Sequence, residues 1–280
     1  MRGHQTIRKP MKRHRYRILL GRIYFTFKRH LMWKFGGIRF SRIGRTLPPK
    51  QYIHFSHETP LLRKLKDVDM QMQYNKITNL KFACAKINGI TIHPGETFSY
   101  WKLIGKPTAK KGYLPGMVLV SGAVKSGIGG GLCQLSNLIY WMVLHTPLTV
   151  MERHRHSYDV FPDSSRTQPF GSGATCFYNY GDLMIRNDTK DIFQINLEVT
   201  ESHLRGIIKS SSPPDLRYEI YEKAHIIRST FWGEYTRHNI IFRKLYDLKN
   251  VIIGEEFVAE NHAVMMYEPL IEGKAESGKP

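Results

Sequence analysis

The sequence predicts an α+β fold: a mixed or antiparallel sheet packed by a central helix that starts at Cys133, with a basic helical segment before it and a small β region after it. Three observations carry this. Helical spacing is concentrated in Ile77, Leu80, Cys84 and Ile87, and again in Leu135, Leu138, Ile139 and Met142. Much of the remainder alternates or is rich in β-branched residues between turn signals, as in Phe193, Ile195, Leu197 and Val199. The charge is also lopsided. Residues 1–57 contain fifteen Lys or Arg and no Asp or Glu, so they carry +15 of the +19 total, whereas residues 58–280 hold 27 basic against 23 acidic side chains.

The basic segment, residues 1–57, interleaves charge with apolar and aromatic residues from Arg17 to Arg29 and again from Leu31 to Phe35. That composition suits an interfacial helix, and an anionic membrane surface is the expected partner of residues 1–46. A helix packed on the body with its basic face outward fits as well. No nucleic-acid-binding motif follows, which argues against nucleic acid. No apolar run approaches the ~18 residues of a spanning helix. The stretch from Ile18 is broken at Arg22 without a small-residue cleavage site, so the segment is read as uncleaved. The expected location is the cytoplasm, peripheral to the inner face of the membrane. Cys84, Cys133 and Cys176 are few, widely spaced and form no CxxC, which argues against a disulfide framework and a cysteine-rich zinc site.

In chain order, Leu47-Pro48-Pro49-Lys50 is a break, and His57-Glu58-Thr59-Pro60 has the signature of a helix start. A core domain is therefore expected over 58–211. A second helix runs to about Ile87, ended by Asn88-Gly89. A short strand, a Pro94-Gly95 turn and an aromatic segment to Trp101 follow. Phe98, Trp101, Tyr140 and Trp141 are assigned to the core, and Glu96 to a turn. After a Lys- and Gly-rich loop at 105–112, residues 116–124 form a hairpin about Ser121-Gly122. The hairpin feeds a glycine loop, with Gly127, Gly129, Gly130 and Gly131 in five residues, and then the Cys133 helix, which His145-Thr146-Pro147 stops. A strand from Leu148 leads to Arg153-His154-Arg155-His156-Ser157-Tyr158-Asp159, then a polar loop with Pro162 and Pro169. Ser211-Ser212-Pro213-Pro214 marks a boundary. Beyond it, 212–272 is expected to be a small antiparallel extension and 273–280 a disordered tail.

Several of these residues form an ordered set. Asn88-Gly89, Pro94-Gly95-Glu96-x-Phe98-Ser99, Gly112-Tyr113, Gly129-Gly130-Gly131-x-Cys133-Gln134-x-Ser136, Arg153-His154-x-His156 and Asp182-Leu183-x-x-x-Asn187 together resemble the VanW family. The match covers roughly 75–210. The resemblance implies a bacterial origin and a link to cell-envelope or glycopeptide-resistance biology, and it implies no reaction. Where many members carry Gly-x-Asp-Ala-Thr, this chain has Gly171-Ser172-Gly173-Ala174-Thr175, so Gly173 replaces an acid.

The first turn of a helix offers free N–H groups and a positive dipole end, which stabilise a thiolate or a carboxylate. Two uses of the Cys133 region follow. In a thiol-dependent acyl transferase or hydrolase, Cys133 is the nucleophile and His156 the base, with His154 as substitute. Asp182 orients the base, with Asp159 as substitute, and loop N–H groups hold the oxyanion. In a binding module without turnover, Gly129, Gly130 and Gly131, with Gln134, Ser136 and Arg153, capture a carboxylate of a peptide-like cell-wall precursor, with Arg153 or Arg155 as charge partner. Gln134 and Ser136 are expected to bond free backbone donors. His154 and His156 share a strand face and could join Cys133 or Asp159 on a metal, but an Arg-rich strand end favours two plain surface histidines. No metal or cofactor is expected.

Overall fold

The computed structural model describes residues 14–44, 51–62, 69–120, 122–160, 167–230 and 233–268. Its centre is a four-stranded antiparallel sheet ordered β1 (Tyr52–Pro60), β10 (His203–Ser210), β9 (Phe193–Val199), β2 (Ile90–Ile92). Phe193, Ile195 and Leu197 of β9 are buried and alternate with half-buried Gln194 and Asn196, as expected of a strand with one face on the core. Helices α2 (Met70–Ile87) and α4 (Cys133–Leu144) pack on this sheet. Their buried residues include most of those helical spacing picks out, Leu80, Cys84 and Ile87 on α2 and Leu135, Leu138, Ile139 and Met142 on α4, while Ile77 is half-buried against the core. Asp69 caps α2 by accepting from the Gln71 N–H at 2.8 Å, and Gly89, at φ +77°, ends it.

One expected helix start is instead a strand end. His57-Glu58-Thr59-Pro60 completes β1, where Thr59 faces Leu204 and Pro60 faces His203 on β10. Pro60 is tolerated because β1 is an edge strand and Pro60 its last residue. The residues on either side of position 57 therefore belong to one strand.

A three-stranded sheet, β3 (Thr97–Ser99), β8 (Met184–Arg186), β6 (Thr149–Glu152), adjoins the short helix α3 (Tyr100–Ile104). The hairpin β4 (Pro115–Val120) and β5 (Ala123–Ile128) turns where expected, with Gly122 at φ +80°; Ser121 lies outside the described residues. The C-terminal strands β11 (Arg217–Ser229), β12 (Tyr235–Tyr246) and β13 (Ile252–Met265) are antiparallel, as expected. They take a fourth, parallel strand from the core, β7 (Tyr158–Asp159), paired with Val264 and Met265. The expected tail and Pro162 lie outside the described residues.

The basic segment contains helix α1 (Arg15–Phe35). Its C-terminal part docks: Arg29 is buried and Trp33 packs against the core. Before that the helix stands free, with Leu19, Leu20, Ile23, Tyr24 and Phe27 all exposed. Among the described residues, no helix is long and apolar enough to cross a membrane.

Candidate functional site

The glycine loop is a close-packed turn. A Cβ on Gly130 would overlap the Gly116 backbone, and one on Gly131, at φ +87°, would overlap the Lys76 side chain. The loop N–H groups of Gly129, Gly130 and Gly131 donate to the carbonyls of Leu114, Gly127 and Met117 at 3.0, 3.0 and 2.9 Å. Asn79 Nδ2 donates to the Gly130 and Leu114 carbonyls at 2.9 and 3.0 Å. Gln134 and Ser136 bond acceptors and not the free backbone donors expected of them. Gln134 Nε2 donates to Thr59 Oγ1 and the Pro60 carbonyl, both at 2.9 Å, and Ser136 Oγ donates to the Ala174 carbonyl at 2.6 Å. Their side chains therefore tie α4 to β1 and to the 174 segment. Arg153 is engaged as well. Its guanidinium donates to the Gly173 and Gly171 carbonyls and to Asn261 Oδ1, and it lies 5.0 Å from the Tyr140 ring centre. Gly173 has a local cause: a Cβ there would stand 2.6 Å from Asn137 Oδ1, which accepts the Ala174 N–H at 2.7 Å.

Cys133 is the first residue of α4, as expected. Burial raises its thiol pKa, and the N–H groups of Cys176 and of Cys133 itself, aimed at the sulfur, offset this only in part. Cys176 is buried beside it and is pushed well above the usual thiol range by the same burial. Among the described residues, no hydrogen bond joins Cys133 to His154 or His156. Asp182 is fully buried, where it accepts from Ser99 Oγ at 2.5 Å and from the Trp101 and Leu183 N–H groups at 2.9 Å each. Burial outweighs these bonds and lifts its carboxyl to about 6. Asp159 is buried against Arg237 Nη1 at 3.1 Å and accepts from the Tyr267 hydroxyl at 2.8 Å.

His154 has a partner that the sequence did not single out. Its Nε2 lies 2.8 Å from Glu152 Oε1, and Glu152 also takes both Arg29 amino groups, at 2.7 and 2.6 Å, and the Asp182 N–H at 2.9 Å. Burial alone would raise Glu152; the hydrogen bonds from His154 and Arg29 override it and hold the carboxyl at about 2. This cluster locks α1 to the end of β6.

His156 lies elsewhere, in a cleft of about 230 Å³ lined by Leu119, Gly122, Arg155, His156, Tyr158 and Phe177. The hairpin tip forms one wall and β7 another. Burial, reinforced by the Arg153 charge, brings Arg155 down to about 10, and burial together with Arg155 lowers His156. Arg155 lies 5.6 Å from the Phe170 ring centre. Among the described residues, neither Arg155 nor His156 has a hydrogen-bond or ion-pair partner.

Residues 75–208 match the family described as VanW like protein. The chain is also 35% identical over 193 residues to the Vancomycin B-type resistance protein VanW of Enterococcus faecalis, covering 66% of this chain and 69% of that protein. The chain belongs to the VanW family. A second relative, the uncharacterized protein YoaR of Bacillus subtilis, is 32% identical over 149 residues, 48% of this chain and 47% of its own length. The chain thus spans about half of that relative. No solved structure matches. The VanW region holds most of α2, all of α4, the glycine loop and the Arg155–His156 cleft, while α1 and β11–β13 lie outside it.

Proposed function

We propose that this VanW protein is a binding module of bacterial cell-envelope biology that captures the carboxylate of a peptide-like wall precursor. The capture point is the cleft holding Arg155 and His156. One observation carries this reading: a half-buried guanidinium and an imidazole with a lowered pKa line one cavity, and among the described residues neither makes a hydrogen bond. The Phe170 ring and the Asp159 carboxylate act on Arg155, and an anion in the cleft would add a charge-assisted hydrogen bond to it. Tyr158 and Phe177 supply apolar walls for the rest of a small ligand. The name of the Enterococcus relative ties that protein to vancomycin resistance, which suits a wall-derived ligand here. The thiol-enzyme reading has weaker support, because the Cys133 sulfur is held in its neutral form and its glycine-loop donors are engaged. Titration calorimetry with N-acetyl-D-alanyl-D-alanine and its C-terminal amide tests the proposal. The free acid is expected to bind about tenfold or more tightly than the amide, the value of one charge-assisted contact. Equal affinities, or no binding of either, would sink it.

The same protein is proposed to rest on anionic lipid through α1. The support is an exposed apolar surface from Ile18 to Phe27 on a helix with no acidic residue.

A further inference from the structure

We infer that His238, Glu260 and His262, outside the VanW region, form a three-ligand site for a divalent transition-metal ion of the zinc class. His238 on β12 and His262 on β13 are direct cross-strand partners, and Glu260 lies two residues before His262 on the same face. The imidazoles stack with centres 4.2 Å apart and planes 11° from parallel. Glu260 Oε1 lies 3.0 Å from His238 Nε2 and 3.2 Å from His262 Nε2, and all three ligand atoms fall within 4.8 Å of one another. Metal bonds of about 2.0–2.1 Å in a tetrahedron place ligand atoms roughly 3.3 Å apart, which matches the spacing of Glu260 from each imidazole nitrogen, and the two rings need to turn out of their stack to aim both lone pairs at one ion.

The backbone beneath them is fixed. Asn239 and Asn261, the neighbours of the two histidines, point inward and are fully buried. Asn261 Nδ2 donates to Asn239 Oδ1 at 2.8 Å, and Asn239 Nδ2 donates to the Phe170 carbonyl at 2.7 Å. Both ligand-bearing strands are therefore tied in register at the residue next to each ligand. Two imidazoles and a carboxylate suit zinc and its late first-row neighbours better than calcium or magnesium. Three protein ligands on a solvent-facing sheet leave a fourth position for water or an anion. Arg155 acts on His262 and opposes a cation there, whereas the Glu260 carboxylate favours one.

The test uses the untagged full chain, freed of metal by chelator and dialysis and titrated with Co²⁺. One equivalent is expected to bind with visible d–d absorption and to be displaced by Zn²⁺. Zn²⁺ is also expected to raise the unfolding temperature of the native chain. His238→Ala and His262→Ala should abolish both signals, and Glu260→Gln, which preserves shape, should weaken them. His225→Ala on β11 should leave them intact. No Co²⁺ spectrum, or a spectrum and thermal shift unchanged in the His238 and His262 variants, would overturn the assignment.

Discussion

Arg155 and Cys133 are both central to the VanW region, yet their surroundings treat charge in opposite ways. Cys133 is half-buried as a residue and lies beside the buried Cys176, and desolvation favours its neutral thiol even at a helix N-terminus. Iodoacetamide labelling of the native chain should therefore be slow at neutral pH and should accelerate only above the free-thiol range of about 8.5. Rapid labelling at pH 7 would restore the nucleophile reading. The chain order Cys133, His156, Asp182 was legible in the sequence, but the partners of each were not. Asp182 meets Ser99 and Trp101, and Glu152 meets Arg29, across large sequence separations set by the sheets. Glu260-x-His262 alternates as a strand should, but only the β12–β13 register brings His238 alongside.

At the scale of elements, local periodicity was a reliable guide and pairing was not visible. Helices α2 and α4 and the β4–β5 hairpin carry their signals within a few residues of each other, so their placement followed directly. Strand β1 did not, because Glu58-Thr59-Pro60 imitates a helix start and the deciding partner, β10, begins only at His203. The glycine loop was legible as a turn into a helix, while the direction of its N–H groups depends on Leu114 and Met117. Gly130 packs on Gly116 with no room for a methyl group, and its neighbours are backbone. Gly130→Ala should therefore cost about 1–3 kcal/mol and lower the unfolding midpoint by on the order of 5 °C, read by calorimetry. An unchanged midpoint would show that the loop yields easily.

For the whole molecule, charge and architecture are divided between regions. Helix α1 is fastened at Arg29 and free before it, so basic and apolar side chains are offered together. In sedimentation with anionic vesicles the intact chain should pellet, and a chain lacking residues 1–46 should stay in the supernatant; equal partition would reject α1 as the lipid contact. The C-terminal sheet borrows β7 from the core, and that junction places Arg155, His156 and Tyr158 at the rim of the cleft. In the proposed binding role this rim, and not Cys133, meets the ligand. The most direct measurement is the dissociation constant of N-acetyl-D-alanyl-D-alanine for Arg155→Gln and Cys133→Ala beside the unaltered chain. Arg155→Gln should weaken binding about tenfold or more, with Cys133→Ala close to unaltered. Loss of binding in Cys133→Ala with full affinity in Arg155→Gln would contradict the account.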